Sequence, residues 1–310
     1  MLNYSEKEIS IILKNILNTE AFKIKAIGNH ELKRHLVYHI YTQEEDLIFK
    51  LYYKTNRRCR EIAALNLLAD STVNCPRIVK AGTLPTGEEW LLITYIDGQM
   101  FDKLRNSIPY ENQIKIFTAM GEELGKIHSF KTFNFFGAWD ENGNSINNIA
   151  DYAVGFIKNR EADISYVLKQ NLPQKALLNK AIEIIRNNYH LVENVATAHL
   201  CHNDFNARNV LVNNTDGEWV LSGVIDFEQS YPSYKDNDLL SLYEKYFLYN
   251  ESLEDAFLNG YGKYCSIGKY FYDTLSYNLL CSAVGICSWA YEQAPDYYEE
   301  GIKLIKMFVE

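Results

Sequence analysis

The hydrophobic pattern changes its period twice within the first hundred residues. Apolar positions recur every three or four residues over residues 5–17, which predicts an amphipathic helix. Ser5 and Glu8 have the spacing of a capping box at its start. Alternating apolar and polar positions then predict strands over residues 22–27, 36–41 and 47–52. A helical pattern over residues 58–69 follows, and two more strands are predicted over residues 77–81 and 90–96.

The pattern beyond residue 98 is mainly helical. It predicts helices over residues 111–130, 148–170, 173–190, 236–249, 267–294 and 296–308. Short strand-like runs interrupt it at residues 198–201, 210–212 and 220–225, with a strong turn signal at residues 213–217. We therefore predict an α+β protein with two domains. Residues 1–97 form a five-stranded antiparallel lobe with a helix, and residues 98–310 form a mostly helical lobe with a small β insert.

The candidate chemistry lies in that β insert. The sequence HNDFNARN occupies residues 202–209, and Ile225, Asp226 and Phe227 follow after a predicted hairpin. Phosphoryl transfer needs a carboxylate that accepts the proton of the attacking hydroxyl, and oxygen ligands for Mg²⁺. Asp204 has the position of the base, and Asn209 and Asp226 have the positions of the two metal ligands. This order and spacing predict an enzyme that phosphorylates an alcohol group.

Residues 202–212 and 223–240 resemble the aminoglycoside phosphotransferase family, whose members have a bilobal protein-kinase-like fold. The resemblance implies that Lys50 binds the α- and β-phosphates of the nucleotide and that Glu61 orients it. It further implies that the Thr94 carbonyl and the Ile96 amide bind the adenine edge. The remaining nucleotide contacts that it implies are Ile93 behind the base, and the backbone of Asn29 and His30 at the phosphates.

The expected cofactors are Mg²⁺ and ATP, and GTP remains open because Ile93 is too small to exclude it. The first hairpin turn, at residues 28–35, departs from the glycine-rich pattern of kinase phosphate loops, since it contains one glycine. The resemblance also implies that Asp238 has a structural role.

The net charge of −9 is carried entirely by residues 98–310. An acidic surface argues against nucleic acid as a partner, because phosphate backbones bind to basic faces. It is compatible with a small polycationic acceptor such as an aminoglycoside. The acidic side chains that we expect near such an acceptor are Glu228, Asp236, Glu244 and Asp273.

Other acceptors remain open at this point. Kinases for choline, homoserine or sugars share the same loop signature, and a macrolide would fit an apolar, aromatic-rich cleft. A non-catalytic pseudokinase would have lost the base, the lysine or a metal ligand, and this sequence retains Lys50, Asp204, Asn209 and Asp226.

The compartment is predicted from three features. The six cysteines lack metal-binding spacing and suit free thiols. The N-terminal residues lack the layout of a signal peptide. The apolar stretch over residues 279–291 is shorter than a membrane span. We expect a cytoplasmic protein without a membrane partner, and a monomer or weak dimer.

Overall fold

The segments of alternating apolar and polar residues near the N-terminus form a five-stranded sheet, which we call sheet 1. The computed structural model describes residue 2 and residues 4–28, 35–192 and 195–310. Its first elements are α1 (Glu6–Leu17), β1 (Lys23–Ile27), β2 (His35–Tyr41), β3 (Leu47–Tyr52), α2 (Arg57–Leu67), β4 (Ile78–Thr83) and β5 (Glu89–Thr94). The strands are antiparallel in the order β1-β2-β3-β5-β4. The predicted five-stranded sheet is confirmed.

Local sequence explains how α1 begins and where it packs. The Ser5 hydroxyl accepts a hydrogen bond from the Glu8 amide, and the Ser5 amide donates to the Glu8 carboxylate at 2.8 Å, so the capping box is present. Side chains alternate across sheet 1. Trp90 and Leu92 therefore pack with α1 in one hydrophobic cluster, whereas Leu91 and Ile93 face a larger cluster on the other side.

The second part of the chain is mostly helical, as its pattern predicts. Its elements are β6 (Gln99–Met100), α3 (Phe101–Leu104), α4 (Tyr110–Phe130), β7 (Thr132–Phe133), α5 (Tyr152–Lys169), α6 (Lys175–Asn187), β8 (Ala198–Cys201), β9 (Val210–Thr215), β10 (Glu218–Val224), β11 (Tyr231–Ser233), α7 (Asn237–Lys245), α8 (Glu251–Tyr261), α9 (Phe271–Gln293) and α10 (Pro295–Val309). Two three-stranded sheets, β10-β9-β6 and β11-β8-β7, form the β insert. Residues 202–209 connect β8 to β9.

The prediction of one helix over residues 236–249 was wrong, and α8 was not predicted. Helix α7 ends at Lys245, and a single turn of 3₁₀ helix follows over Phe247–Tyr249. The Asn250 side chain then accepts a hydrogen bond from the Leu253 amide and caps α8. The sequence signal that could have separated the two helices is this asparagine. The two-residue or three-residue strands β6, β7 and β11 were also missed because they are too short to show a period.

Helices α4 and α8 cross at very close range. A Cβ atom on Gly260 would lie 1.9 Å from the Thr118 carbonyl oxygen, and one on Gly121 would lie 2.0 Å from the Phe257 carbonyl oxygen. Both contacts are to backbone atoms, which cannot move away without separating the helices. The two glycines are therefore needed for packing, and α4 leads from this crossing to the candidate site.

We expect Gly260→Ala to lower the free energy of unfolding by about 2–3 kcal/mol, because the added methyl group overpacks the crossing. Urea unfolding followed by circular dichroism measures the change. Gly155→Ala in α5 is the matched control, since its Cβ would meet a flexible Ile149 methyl group at 3.3 Å. Equal stability of the two variants would contradict the packing argument.

Among the described residues, no helix combines the length and apolar character that a membrane crossing requires. The six cysteines are all free thiols, as predicted.

Candidate active site

Lys50 lies at the centre of a buried charge network. Its position in β3 directs the side chain away from α1 and toward α2. The Lys50 ammonium donates to both Glu61 carboxylate oxygens, at 2.9 and 2.8 Å, and to Asp226 at 2.8 Å. The Tyr52 hydroxyl donates to Glu61 at 2.5 Å. The structure thus brings together Lys50, Glu61 and Asp226, which come from three separate parts of the sequence.

The charges of this network depend on one another. Burial alone would lower the pKa of Lys50, but the carboxylates of Asp226 and Glu61 hold that pKa above its ordinary value. Burial would likewise raise the pKa of Asp226, and Lys50 lowers it below its ordinary value. The ammonium and the Asp226 carboxylate are therefore both charged near neutral pH. Such an ammonium suits the phosphates of a nucleotide.

Asp204 is held by two asparagine side chains of its own loop. The Asn206 amide donates to the Asp204 carboxylate at 3.0 Å, and the Asn209 amide donates to the other carboxylate oxygen at 3.1 Å. Both amides also donate to the Asp204 carbonyl at 2.9 Å. Asn206 itself is buried. These bonds fix the direction of the Asp204 side chain. The side chain is 39% exposed, so a substrate can still reach it.

Two residues of the site have left-handed backbone conformations, which are uncommon for residues other than glycine. Asn203 has φ 59° and Asp226 has φ 70°. Asn203 is restrained because its side-chain amide donates to the carbonyl oxygens of Gln229 and Tyr231, both at 3.2 Å. The ion pair with Lys50 restrains Asp226. Such strain occurs where surrounding contacts over-determine a functional geometry.

Asp238 fixes the start of the loop over residues 202–209, which we call the catalytic loop. Its carboxylate accepts hydrogen bonds from the backbone amides of His202 at 2.7 Å and Asn203 at 2.5 Å. The His128 ring lies 3.0 Å from the same carboxylate and 2.8 Å from the Tyr261 hydroxyl. His128 and Asp238 are both buried. The implied structural role of Asp238 fits this arrangement.

Backbone contacts join the loop that carries Asp204 to the segment that carries Asp226. The Ile225 amide donates to the Asn209 carbonyl at 2.9 Å, and the buried His202 ring donates to the Ile225 carbonyl at 3.0 Å. Asp226 is consequently close enough to Asp204 to affect its titration. Burial, followed by the smaller influence of Asp226, raises the pKa of Asp204 above 3.8 despite the lowering effects of His202 and Arg208.

The oxygen donors present suit a hard divalent cation. Oxygen atoms of Glu61, Asp226 and Glu228 lie within 4.8 Å of one another. The Asn209 side-chain nitrogen donates a hydrogen bond to Asp204, which leaves the side-chain amide oxygen of Asn209 available as a metal ligand. Carboxylate and amide oxygens with room for water are the ligands that Mg²⁺ prefers. The donors present are therefore of the type that Mg²⁺ binds, and Asp226 belongs to the group whose oxygen atoms converge.

The residues expected at the adenine lie at the end of β5. Ile93 is buried between Ile48 and Ile78 of the neighbouring strands. The Thr94 amide and hydroxyl bind the backbone of Arg77, each at 2.9 Å. Ile96 packs against Gly223, where an added Cβ would lie 2.7 Å from an Ile96 methyl group. These contacts fix the connection between sheet 1 and β10. Asn29 and His30 lie outside the described residues.

Comparisons with known proteins identify the family. The model of the phosphotransferase enzyme family (APH) matches residues 29–272. The chain belongs to this family. The resemblance to aminoglycoside phosphotransferases is thereby confirmed, and the protein is a phosphotransferase that acts on a hydroxyl group of a small molecule. No curated protein sequence matches the chain.

Solved structures agree with this phosphotransferase fold. The crystal structure of aminoglycoside phosphotransferase APH(4)-Ia has a TM-score of 0.73 at 11% identity, covering 96% of this chain and 98% of that one. The GDP complex of wild-type aminoglycoside 2'-phosphotransferase-IIIa has a TM-score of 0.71 at 16% identity, covering 98% of each chain. At these identities the similarity shows the fold alone.

The four carboxylates expected around the acceptor of this phosphotransferase do not form one group. Glu228 lies 3.1 Å from the His35 ring and adjoins the Lys50 network, on the nucleotide side. Asp236 is buried and accepts hydrogen bonds from the Tyr234 hydroxyl and the Gly268 amide. Asp273 is exposed in the first turn of α9, and no described contact joins it to the catalytic loop. Their place at an acceptor stays a prediction, because spacing along the chain carries no information on the direction of a side chain.

Glu244 is the remaining candidate and lies on α7, facing Ser282 of α9. Burial raises its pKa to about 7, and the Ser282 hydroxyl opposes this shift. One of its carboxylate oxygens is buried without a hydrogen-bond partner among the described residues. Glu244 is therefore partly protonated at neutral pH, which weakens it as a receptor for a cationic acceptor.

We expect Glu244→Gln to remove part of the pH dependence of stability. A folded-state pKa of about 7 against an ordinary 4.5 contributes stability that is complete below pH 4.5 and lost as the pH rises through 7. At pH 8 the variant should be more stable than the wild type by up to about 3 kcal/mol, and at pH 4.5 the two should be alike. Urea unfolding at both pH values measures this, and an equal difference at the two pH values would contradict it.

Several residues that contact the site had no role in the sequence-based prediction. Asn206 could have been noticed, because it lies two residues from Asp204 in the same loop. Arg208 lies in the same loop, and its guanidinium lies 3.7 Å from the Asp204 carboxylate. Tyr297 of α10, whose hydroxyl accepts a hydrogen bond from Arg208, gave no sequence signal, since its distance along the chain conceals the contact.

Proposed function

We propose that this phosphotransferase transfers the γ-phosphate of ATP to a hydroxyl group of a small molecule, with Asp204 as the base. The observation that carries the proposal is the Lys50 ammonium, which is held by Glu61 and Asp226 together. In this proposal Lys50 binds the nucleotide phosphates and Glu61 orients it. The end of β5 (Ile93, Thr94 and Ile96) receives the base. Residues 1–97 and 98–310 act as two lobes on either side of the nucleotide.

The reaction balances with these residues alone and the two substrates. The acceptor oxygen forms a bond to the γ-phosphorus, and the bond from that phosphorus to the bridging oxygen breaks, so that ADP leaves with the electron pair. The hydroxyl proton passes to the Asp204 carboxylate, which Asn206 and Asn209 hold in place. Mg²⁺ bound by Asn209 and Asp226 would neutralise charge on the phosphates.

Two acceptor classes have support. Aminoglycosides are supported by the acidic second part of the chain and by related structures that contain hygromycin B or kanamycin. A hydroxyl-bearing metabolite is supported by a cavity of about 330 Å³ that reaches the catalytic loop at Asn203. Arg160 is the charged residue among the described ones that line it. The described residues that line the cavity include no carboxylate to bind a polycation, and Arg160 itself pairs with Asp163 at 2.9 Å.

A coupled ADP-release assay tests the proposal. The protein is supplied with MgATP or MgGTP and, in turn, aminoglycosides, macrolides, choline, homoserine and sugars, with the Asp204→Asn variant as control. We expect one chemical class to accelerate ADP release in the wild type and not in the variant. Nucleotide binding without any acceleration would favour the pseudokinase alternative, and absence of nucleotide binding would overturn the proposal.

A further inference from the structure

Two cations and one aromatic ring meet beside Asp204. The Arg208 guanidinium lies 5.7 Å from the centre of the Tyr297 ring, and the Lys245 ammonium lies 5.6 Å from the same centre. Arg208 also donates through Nε to the side-chain amide oxygen of Asn206 at 3.2 Å. We call Arg208, Lys245 and Tyr297 the cationic cluster. Its three residues lie in the catalytic loop, in α7 and in α10.

The two charges of the cationic cluster differ in their partners, since Arg208 faces the Asp204 carboxylate at 3.7 Å whereas Lys245 has no ion pair among the described residues. Lys245 is half-buried, and among the described residues no hydrogen bond or ion pair within 4 Å engages its ammonium. Burial and the charge of Arg208 lower the pKa of Lys245. The carboxylates of Glu300, Asp102 and Glu244 oppose this shift, although among the described residues none of them forms an ion pair with the Lys245 ammonium. Two like charges held together in partial burial are unfavourable unless an anion joins them.

The position of the cationic cluster connects it with the acceptor. Arg208 reaches the Asp204 carboxylate at 3.7 Å, whereas the nucleotide-side charges of Lys50 and Glu61 form a separate network. Tyr297 lies in α10, beyond the residues 29–272 that match the family. Arg208 and Lys245 lie within those residues, so the aromatic member of the cluster is the one outside the matched range.

We propose that the cationic cluster binds an oxyanion group, a carboxylate or a phosphate, of the acceptor whose hydroxyl is phosphorylated. Arg208 and Lys245 bind the oxyanion over the edge of Tyr297, and this places the neighbouring hydroxyl at Asp204. The acceptor is thus a hydroxy acid or a phosphate ester and not a polycation. This inference rests on the proposed function of the site.

Trp289 provides a local probe, because its ring lies 5.8 Å from that of Tyr297. The indole N–H signal of Trp289, assigned with a Trp289→Phe variant, is followed by nuclear magnetic resonance in protein saturated with Mg²⁺ and AMP-PNP. Inorganic phosphate, D-gluconate, D-glucosamine and kanamycin are titrated separately. We expect saturable shifts with phosphate and gluconate. In Arg208→Gln and Lys245→Gln the dissociation constant should rise about tenfold or more, and Lys245→Arg should retain binding.

Arg186→Gln is the matched control, since Arg186 pairs with Glu161 away from the cluster, and it should leave anion binding unchanged. The inference is overturned if neither anion binds, if both glutamine variants bind anions as the wild type does, or if glucosamine or kanamycin binds more tightly. It is also overturned if the glutamine variants lose affinity for MgAMP-PNP to the same extent, because the cluster would then serve the nucleotide. If MgAMP-PNP fails to bind the wild type, the proposed function fails, and the same titrations on the nucleotide-free protein still decide the inference.

Discussion

Replacing Asp204 with asparagine is expected to lower kcat by about 10²-fold or more. The variant keeps the size of the side chain and loses the group that accepts the hydroxyl proton. Binding of the Mg²⁺ nucleotide should change little, because Lys50 and Asp226 form their own network. Single-turnover ADP release and nucleotide titration measure the two effects separately.

The pH dependence provides a second measurement of the same residue. The pKa of Asp204 is raised above 3.8, mainly by burial. The base is active when deprotonated, so the rate should fall as the pH drops through this raised pKa, and the acid limb should lie above pH 3.8. Asp255→Asn on the exposed side of α8 is the matched control. Unchanged turnover in Asp204→Asn, with the fold intact, would remove the base from the proposal.

Much of the nucleotide side could be predicted from the sequence. Phosphoryl transfer needs few protein groups, and their spacing along the chain is set by the strands and the loop that carry them. Glu61 was expected to orient Lys50, and the structure pairs the two. The direct contact of Lys50 with Asp226, which was expected as a metal ligand, was not predicted. The five-stranded sheet was likewise predictable, because one period-2 pattern marks each of its longer strands.

The acceptor side could not be predicted in the same way. Its residues come from helices whose mutual orientation depends on packing, such as the crossing of α4 and α8 at Gly260. The helical pattern shows which residues share a face of the helix with an acidic residue. It does not show which other element that face packs against. Asp236 was therefore expected at the acceptor, although it is buried against the Gly268 amide. Tyr297 was not considered, although it contacts Arg208.

The sequence pattern gives Asp238 a structural role but does not show which groups it binds. Its carboxylate accepts hydrogen bonds from the His202 and Asn203 amides and lies 3.0 Å from the His128 ring. His128, His202 and Asp238 are all buried. The left-handed backbone at Asn203 depends on the same carboxylate, because two successive amides must point toward it.

We expect Asp238→Ala to lower the free energy of unfolding by about 3–5 kcal/mol, since it leaves several buried donors without an acceptor. Urea unfolding measures this change, and Asp255→Ala on the surface of α8 should alter stability by less than about 0.5 kcal/mol. Turnover should fall as well, because the loop that holds Asp204 loses its support, while MgATP still protects the folded fraction through Lys50. A fully stable Asp238→Ala variant with normal turnover would show that the strained loop is held by Asn203 and its carbonyl partners alone.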